Sequence, residues 1–231
     1  MANATIHARD GGSFSGYLAT AKGGKGPGIV VIQEIFGVND WVRRTCDSLA
    51  AQGFTALAPD LFWRIKPGIQ LTASKPEEFQ QALKYMGEFD QAKGIADIQS
   101  SITYLRSHGS ANGKVGATGY CLGGRLAYMT ATSTDVDASV GYYGVGLQGL
   151  LGDAGKIKKP LMLHIAEKDS FTPPEAQQQI KGGLKDNKLV TVYLYAGADH
   201  GFARDGDPHF HKEAAELANT RTTEFFKKHL A

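Results

Sequence analysis

The chain is poor in the features that tie a protein to a membrane, a nucleic acid or an oxidising compartment. Its 231 residues hold only two cysteines, Cys46 and Cys121. Two widely separated cysteines cannot supply the dense disulfide framework of small secreted domains. No apolar run approaches the ~18 residues of a membrane span. The first ten residues are polar where a secretory signal would be apolar. Neither sign of charge dominates: 25 basic and 23 acidic residues leave a net charge of +2. The charges are interspersed, so the basic stripe expected of a nucleic-acid-binding surface is missing. The cysteine and histidine spacings match no zinc pattern, although His209 and His211 lie near His200. The glycine cluster Gly23 to Gly28 precedes a strand instead of following one, unlike a dinucleotide fingerprint, and Gly109 to Lys114 is one residue short of a P-loop. No repeat, low-complexity tract or linker interrupts the sequence. The expectation is one domain over residues 1–231, cytoplasmic and monomeric, with reduced thiols, no metal, no cofactor, and no membrane or nucleic-acid partner.

What is present is an alternation of two periodicities. Short apolar runs bounded by Gly, Pro or Asp predict strands at 28–33, 55–58, 115–118, 138–142, 161–165 and 190–195. Between them, apolar residues at helical spacing predict helices over 38–52, 76–86, 95–107, 173–184 and 210–230, with a further helix beginning near Leu126. Ser74 is a candidate N-cap for the second of these, with Pro76 in its first turn. Strand and helix in alternation imply a mostly parallel sheet covered on both faces. Residues 5–20 read instead as a hairpin turning at Asp10-Gly11-Gly12, which adds antiparallel strands at one edge. The fold class is therefore α/β in three layers.

One segment carries chemistry. Gly119-Tyr120-Cys121-Leu122-Gly123 has the Gly-x-nucleophile-x-Gly spacing of a nucleophile elbow, with cysteine at its centre. It lies between a predicted strand and a predicted helix, so the bend projects Cys121 toward the helix N-terminus. The unpaired N–H groups there stabilise an anion. Asp169 follows the strand ending at Ile165, and His200 follows the strand ending at Tyr195. Nucleophile, acid and histidine thus occur in the order of an α/β-hydrolase triad, each beyond a strand's C-terminal end. Cys121 would attack as a thiolate, His200 would move the proton, and Asp169 would orient the ring. The N–H of Leu122 is one expected oxyanion donor, and the loop Gln33 to Gly37 supplies the second, with Ile35 favoured. Cys46, on an apolar helical face, reads as a small buried hydrophobe.

These motifs resemble the dienelactone hydrolase (carboxymethylenebutenolidase) family. The resemblance rests on Gln33-Glu34-Ile35-Phe36-Gly37, Ala58-Pro59-Asp60-Leu61-Phe62, Gly119-Tyr-Cys-Leu-Gly-Gly124, Gly141-Tyr-Tyr-Gly-Val-Gly146 and His200-Gly-Phe-Ala-Arg204. It implies an α/β-hydrolase fold and hydrolysis of a small lactone or ester through a thioester, without a cofactor. It assigns Glu34 to the resting thiol, Arg204 to a substrate carboxylate, and Tyr142 and Phe36 to the substrate pocket. A carboxylate beside a thiol disfavours the thiolate yet can accept its proton.

The pocket departs from the resemblance. The family's second carboxylate-binding arginine falls at Phe79 here, and a tyrosine and a tryptophan fall at Leu83 and Met86. The family's serine after the histidine is Gly201. Arg64, Lys66 and Lys84 are the cations that could substitute. The expectation is a less acidic or larger substrate, with poor turnover of cis-dienelactone. The rivals are a broad carboxylesterase of the same fold, a non-catalytic ligand-binding module, and a redox sensor pairing Cys46 with Cys121.

Overall fold

The computed structural model describes residues 2–231; Met1 lies outside the described residues. Among the described residues, eight strands form one mostly parallel sheet, in the spatial order first, second, fourth, third, fifth, sixth, seventh and eighth along the chain. The backbone divides into two compact units, Met1–Ala117 and Thr118–Ala231.

In the first unit, β1 (Ala2–His7) and β2 (Ser13–Ala19) form the expected antiparallel hairpin, with Ile6 opposite Phe14. Gly11 and Gly12 both adopt positive φ in its turn, which a side chain would resist. β2 runs antiparallel to β4 (Thr55–Pro59), and β4 runs parallel to β3 (Gly26–Ile32), with Gly28 opposite Thr55. Ile29 to Ile32 and Ala56 to Ala58 are fully buried. This explains their unbroken apolar runs, because a parallel strand covered on both faces has no polar side. The helix α1 (Asp40–Ala51) starts where the Asn39 side chain accepts the Val42 N–H, and it buries Trp41, Val42, Cys46 and Leu49.

Several helix starts differ from expectation by a few residues, and two helices differ in their caps. The N-cap of α2 (Pro76–Glu88) is Lys75, which makes no side-chain cap bond, while the Ser74 hydroxyl turns to Thr72. Pro76 tolerates this because it has no N–H to satisfy. The helix α3 (Gln91–Ser107) begins four residues before Ile95, because the Asp90 carboxylate accepts the Lys93 N–H and fixes the start there. Its face of Ile95, Ile98, Ile102 and Leu105 is buried.

β5 (Ala111–Tyr120) runs through the division between the units. In the second unit, β6 (Ala138–Tyr142), β7 (Leu161–Ala166) and β8 (Val190–Tyr195) pair in parallel, with Tyr142 opposite His164 and His164 opposite Tyr193. The helices are α4 (Leu122–Ser133), α5 (Pro174–Leu184) and α6 (Lys212–His229). A 3-10 segment, Leu147–Lys156, was not legible in the periodicity; it opens at Gly146, whose φ is 71°. Leu147 packs with Tyr128, Leu161, Leu163, Ile180 and Leu184 in the core of this unit. Burial of each such side chain contributes roughly 1.5–3 kcal/mol.

Candidate active site

Cys121 sits at the junction of β5 and α4 with φ 55° and ψ −114°. A non-glycine residue held there costs about 1–3 kcal/mol of backbone strain. The neighbours over-determine it. Its N–H donates to the Tyr142 carbonyl at 3.1 Å, and its carbonyl accepts the Arg125 N–H at 3.1 Å. A Cβ on Gly119 would strike the Gly123 carbonyl, and one on Gly124 would stand 2.9 Å from the Gly144 Cα. The glycines therefore let α4 close onto β6 and force the bend that presents the thiol. Leu122 is the first residue of α4, so its N–H belongs to the unpaired turn at the helix's positive end.

Asp169 follows β7 and is 2% exposed. Its Oδ1 accepts the Phe171 N–H at 2.8 Å, and its Oδ2 lies 2.8 Å from His200 Nδ1. His200 is fixed at its backbone, where its N–H donates to Asp199 Oδ1 at 2.6 Å. The Cys121 side chain lies near enough to the His200 ring to help raise its pKa. The structure thus brings the three expected triad residues together as Asp169–His200–Cys121. Burial alone would lower the His200 pKa, yet the hydrogen bonds and charges of Asp169 and Cys121 outweigh it and raise it to about 10. The shift favours the imidazolium form, whose Nδ1–H donates to Asp169 Oδ2.

Two aromatic rings that the motifs did not single out complete the histidine's surroundings. Tyr143 presents an edge to His200 at 5.1 Å, and Phe171 does so at 4.8 Å. Phe171 is 55% exposed, an unusual position for a large apolar ring. Tyr143 has φ 36°, and that strain was the signal the sequence could not show. Its neighbour Tyr142, expected in the pocket, is instead fully buried. The Tyr142 hydroxyl bonds Thr222 at 2.6 Å and Asn219 at 3.0 Å on α6, and its ring lies 4.4 Å from that of His164. β6 ends at Tyr142, and the bend that follows, with Tyr143 at positive φ, turns the Tyr143 ring toward His200 while the Tyr142 ring stays in the core. His164 is buried between the Tyr195 hydroxyl and Thr222, and burial lowers its pKa to about 3, so it is a neutral core residue.

Arg204, expected to meet a substrate carboxylate, is engaged by Asp207. Its Nε and Nη2 donate to Asp207 Oδ2 at 3.1 and 2.6 Å.

In the first unit, Glu34 and Ile35 follow β3 and are 1% and 5% exposed. The Gln33 side chain reaches the Leu61 N–H and ties this loop to the one beginning at Asp60. Asp60 accepts the Phe62 and Gly68 N–H groups and so shapes that second loop. The rings of Phe36 and Phe79 lie 6.2 Å apart. Leu83 and Met86 are 36% and 42% exposed. With Phe79 they occupy positions i, i+4 and i+7 on α2, an apolar stripe. Arg64 does not replace the missing arginine, because it is held at 2.6 Å by both Asp10 and Asp97. Among the described residues, no group of three or more His, Cys, Asp or Glu side chains could hold a metal ion, and no helix is long and apolar enough to cross a membrane.

Residues 14–230 match the model of the dienelactone hydrolase family. A relative from Azospirillum brasilense is 50% identical over 232 residues, covering all of both chains. The carboxymethylenebutenolidase of Pseudomonas putida is 39% identical over 221 residues, covering 96% of this chain and 94% of its own. Among solved structures, a Klebsiella pneumoniae protein superposes with a TM-score of 0.85 at 25% identity over 98% of each chain.

Proposed function

This chain belongs to the dienelactone hydrolase family and is a hydrolase of α/β-hydrolase fold, and from that premise we propose that it opens a small lactone or cleaves a small ester through Cys121. The observation that carries this reading is the Asp169–His200 hydrogen bond beside the strained elbow of Cys121, with the His200 pKa raised by its partners. An imidazolium beside the sulfur favours thiolate, the nucleophilic form.

The thiolate attacks the substrate carbonyl, and charge moves to its oxygen. The Leu122 N–H at the start of α4 and the Ile35 N–H are assigned to that oxyanion. Collapse breaks the carbon–oxygen bond; the leaving oxygen takes the proton from His200, and the acyl group stays on sulfur as a thioester. His200, now neutral, takes a proton from water, and the resulting hydroxide attacks the thioester. The acid leaves and Cys121 returns as thiolate, with the proton back on His200. Asp169 holds the ring in the required orientation throughout. Glu34 is assigned to the resting thiol, as the family likeness implies. The exposed Phe171 ring beside His200 supports substrates with apolar substituents. The protein is proposed to work in the cytoplasm as a monomer on a small-molecule substrate.

The test is a p-nitrophenyl ester. The wild type is expected to release p-nitrophenol in a burst and to gain the acyl mass on the peptide bearing Cys121. Cys121→Ala is expected to lose at least about 10³-fold in kcat/KM. Ester turnover that survives in Cys121→Ala would sink the cysteine mechanism.

A further inference from the structure

The loop after the catalytic histidine is built around a carboxylate. Asp207 is almost completely buried, with 7% of its side chain exposed. Its Oδ1 accepts the His209 N–H at 2.9 Å, and its Oδ2 takes both Nε and Nη2 of Arg204. Its backbone closes the same turn: the Asp207 N–H donates to the Arg204 carbonyl, and the Phe210 N–H donates to the Asp207 carbonyl. Charge-assisted bonds of this length, formed at a buried carboxylate, fix both the position and the electrostatics of the guanidinium.

Gly201 completes the arrangement. It follows His200 directly, adopts φ +81°, and lies so close to Arg204 that a Cβ there would stand 3.0 Å from Nη2. A side chain at 201 would be strained by the positive φ, and the guanidinium would have to give by a few tenths of an ångström. The loop also carries Asp199 and Asp205, so residues 199–211 hold three carboxylates and one guanidinium.

We propose that Asp207 is a specificity-determining positioning residue. By holding Arg204 over Gly201 it offsets the positive charge beside the catalytic histidine, and it sets the enzyme to take lactones and esters whose acyl part carries no carboxylate. The inference rests on the ester-hydrolase reading above and names the substrate class of that site. An incoming carboxylate must compete with Asp207 for the arginine and approach a loop with an excess of negative charge. A neutral acyl group meets neither penalty.

The experiment compares p-nitrophenyl butyrate, whose acyl chain is neutral, with mono-p-nitrophenyl succinate, whose acyl chain ends in a carboxylate. The wild type is expected to favour the butyrate ester by about tenfold or more in kcat/KM, and Asp207→Asn to raise the succinate-to-butyrate ratio by about tenfold. The gain should shrink in 1 M salt, where the Debye length falls to about 3 Å. A purely structural role for Asp207 would lower both rates together, so an unmoved ratio overturns the proposal. If Asp207→Asn fails to fold, the wild-type preference alone still decides: a preference for succinate overturns the proposal. Hydrolysis of neither ester overturns the functional reading, and this inference with it. Hydrolysis of butyrate with an unmoved ratio defeats Asp207 alone.

Discussion

His200 is the residue on which chemistry and stability meet. It is buried, and burial alone would make it shed its proton; Asp169 and Cys121 hold its pKa at about 10 instead. A group that binds its proton more tightly in the folded state than in the unfolded chain stabilises the fold while the proton is present. The unfolded reference is 6.5. The contribution is therefore complete below pH 6.5 and is lost as pH rises through about 10. Denaturant unfolding between pH 7 and pH 10.5 should show the wild type losing more stability than His200→Gln. Parallel slopes for the two proteins would show that the histidine carries no such linkage. Cys46 makes the contrast within one chain. It is fully buried on α1, and burial pushes its thiol far above the usual range. The same side chain is thus sealed from reagents in one setting and open to them in the other.

At the scale of elements, the site depends on how closely α4 approaches β6 and the turn after it. Gly124 faces the Tyr142 carbonyl and the Gly144 Cα, with no room for a methyl group. Gly124→Ala should lower stability by about 1–3 kcal/mol and reduce kcat more than KM, because it tilts the elbow that aims Cys121. Gly149→Ala is the control. A Cβ there meets nothing within 4 Å, and the change should stay within about 0.5 kcal/mol. Urea unfolding curves of the two variants check the difference; equal stability would mean that the helix has slack to give. The same packing explains why a strained Cys121 persists. The hydrogen bonds on either side of it belong to β6 and α4, and neither can move without breaking its own ladder.

The two cysteines together report on the whole molecule. Cys121 is partly exposed and Cys46 has no exposure, and both are free thiols. A thiol reagent should label one cysteine rapidly in the native protein. The second should react only as fast as the fold opens, so its rate should rise with urea in step with global unfolding. Rapid labelling of both thiols would contradict the burial of Cys46. Peroxide treatment that yields a Cys46–Cys121 disulfide in the folded protein would favour the redox rival.

The sequence by itself determined the alternation of strands and helices, the hairpin at one edge, and the order of Cys121, Asp169 and His200. Each of these is written in local periodicity or in a short motif, and local signals need no knowledge of neighbours. The start of α3 was harder to read, because the carboxylate of Asp90 sets it and not the apolar spacing. Only the tertiary structure decided that Tyr143 and not Tyr142 faces His200, that Phe171 stands exposed against the ring, and that Arg64 is held by Asp10 and Asp97. It also decided that Arg204 is held by Asp207. The reason is physical. Which side a strand residue faces, and which carboxylate an arginine meets, depend on register and loop geometry, and these are fixed by packing between segments far apart in the chain.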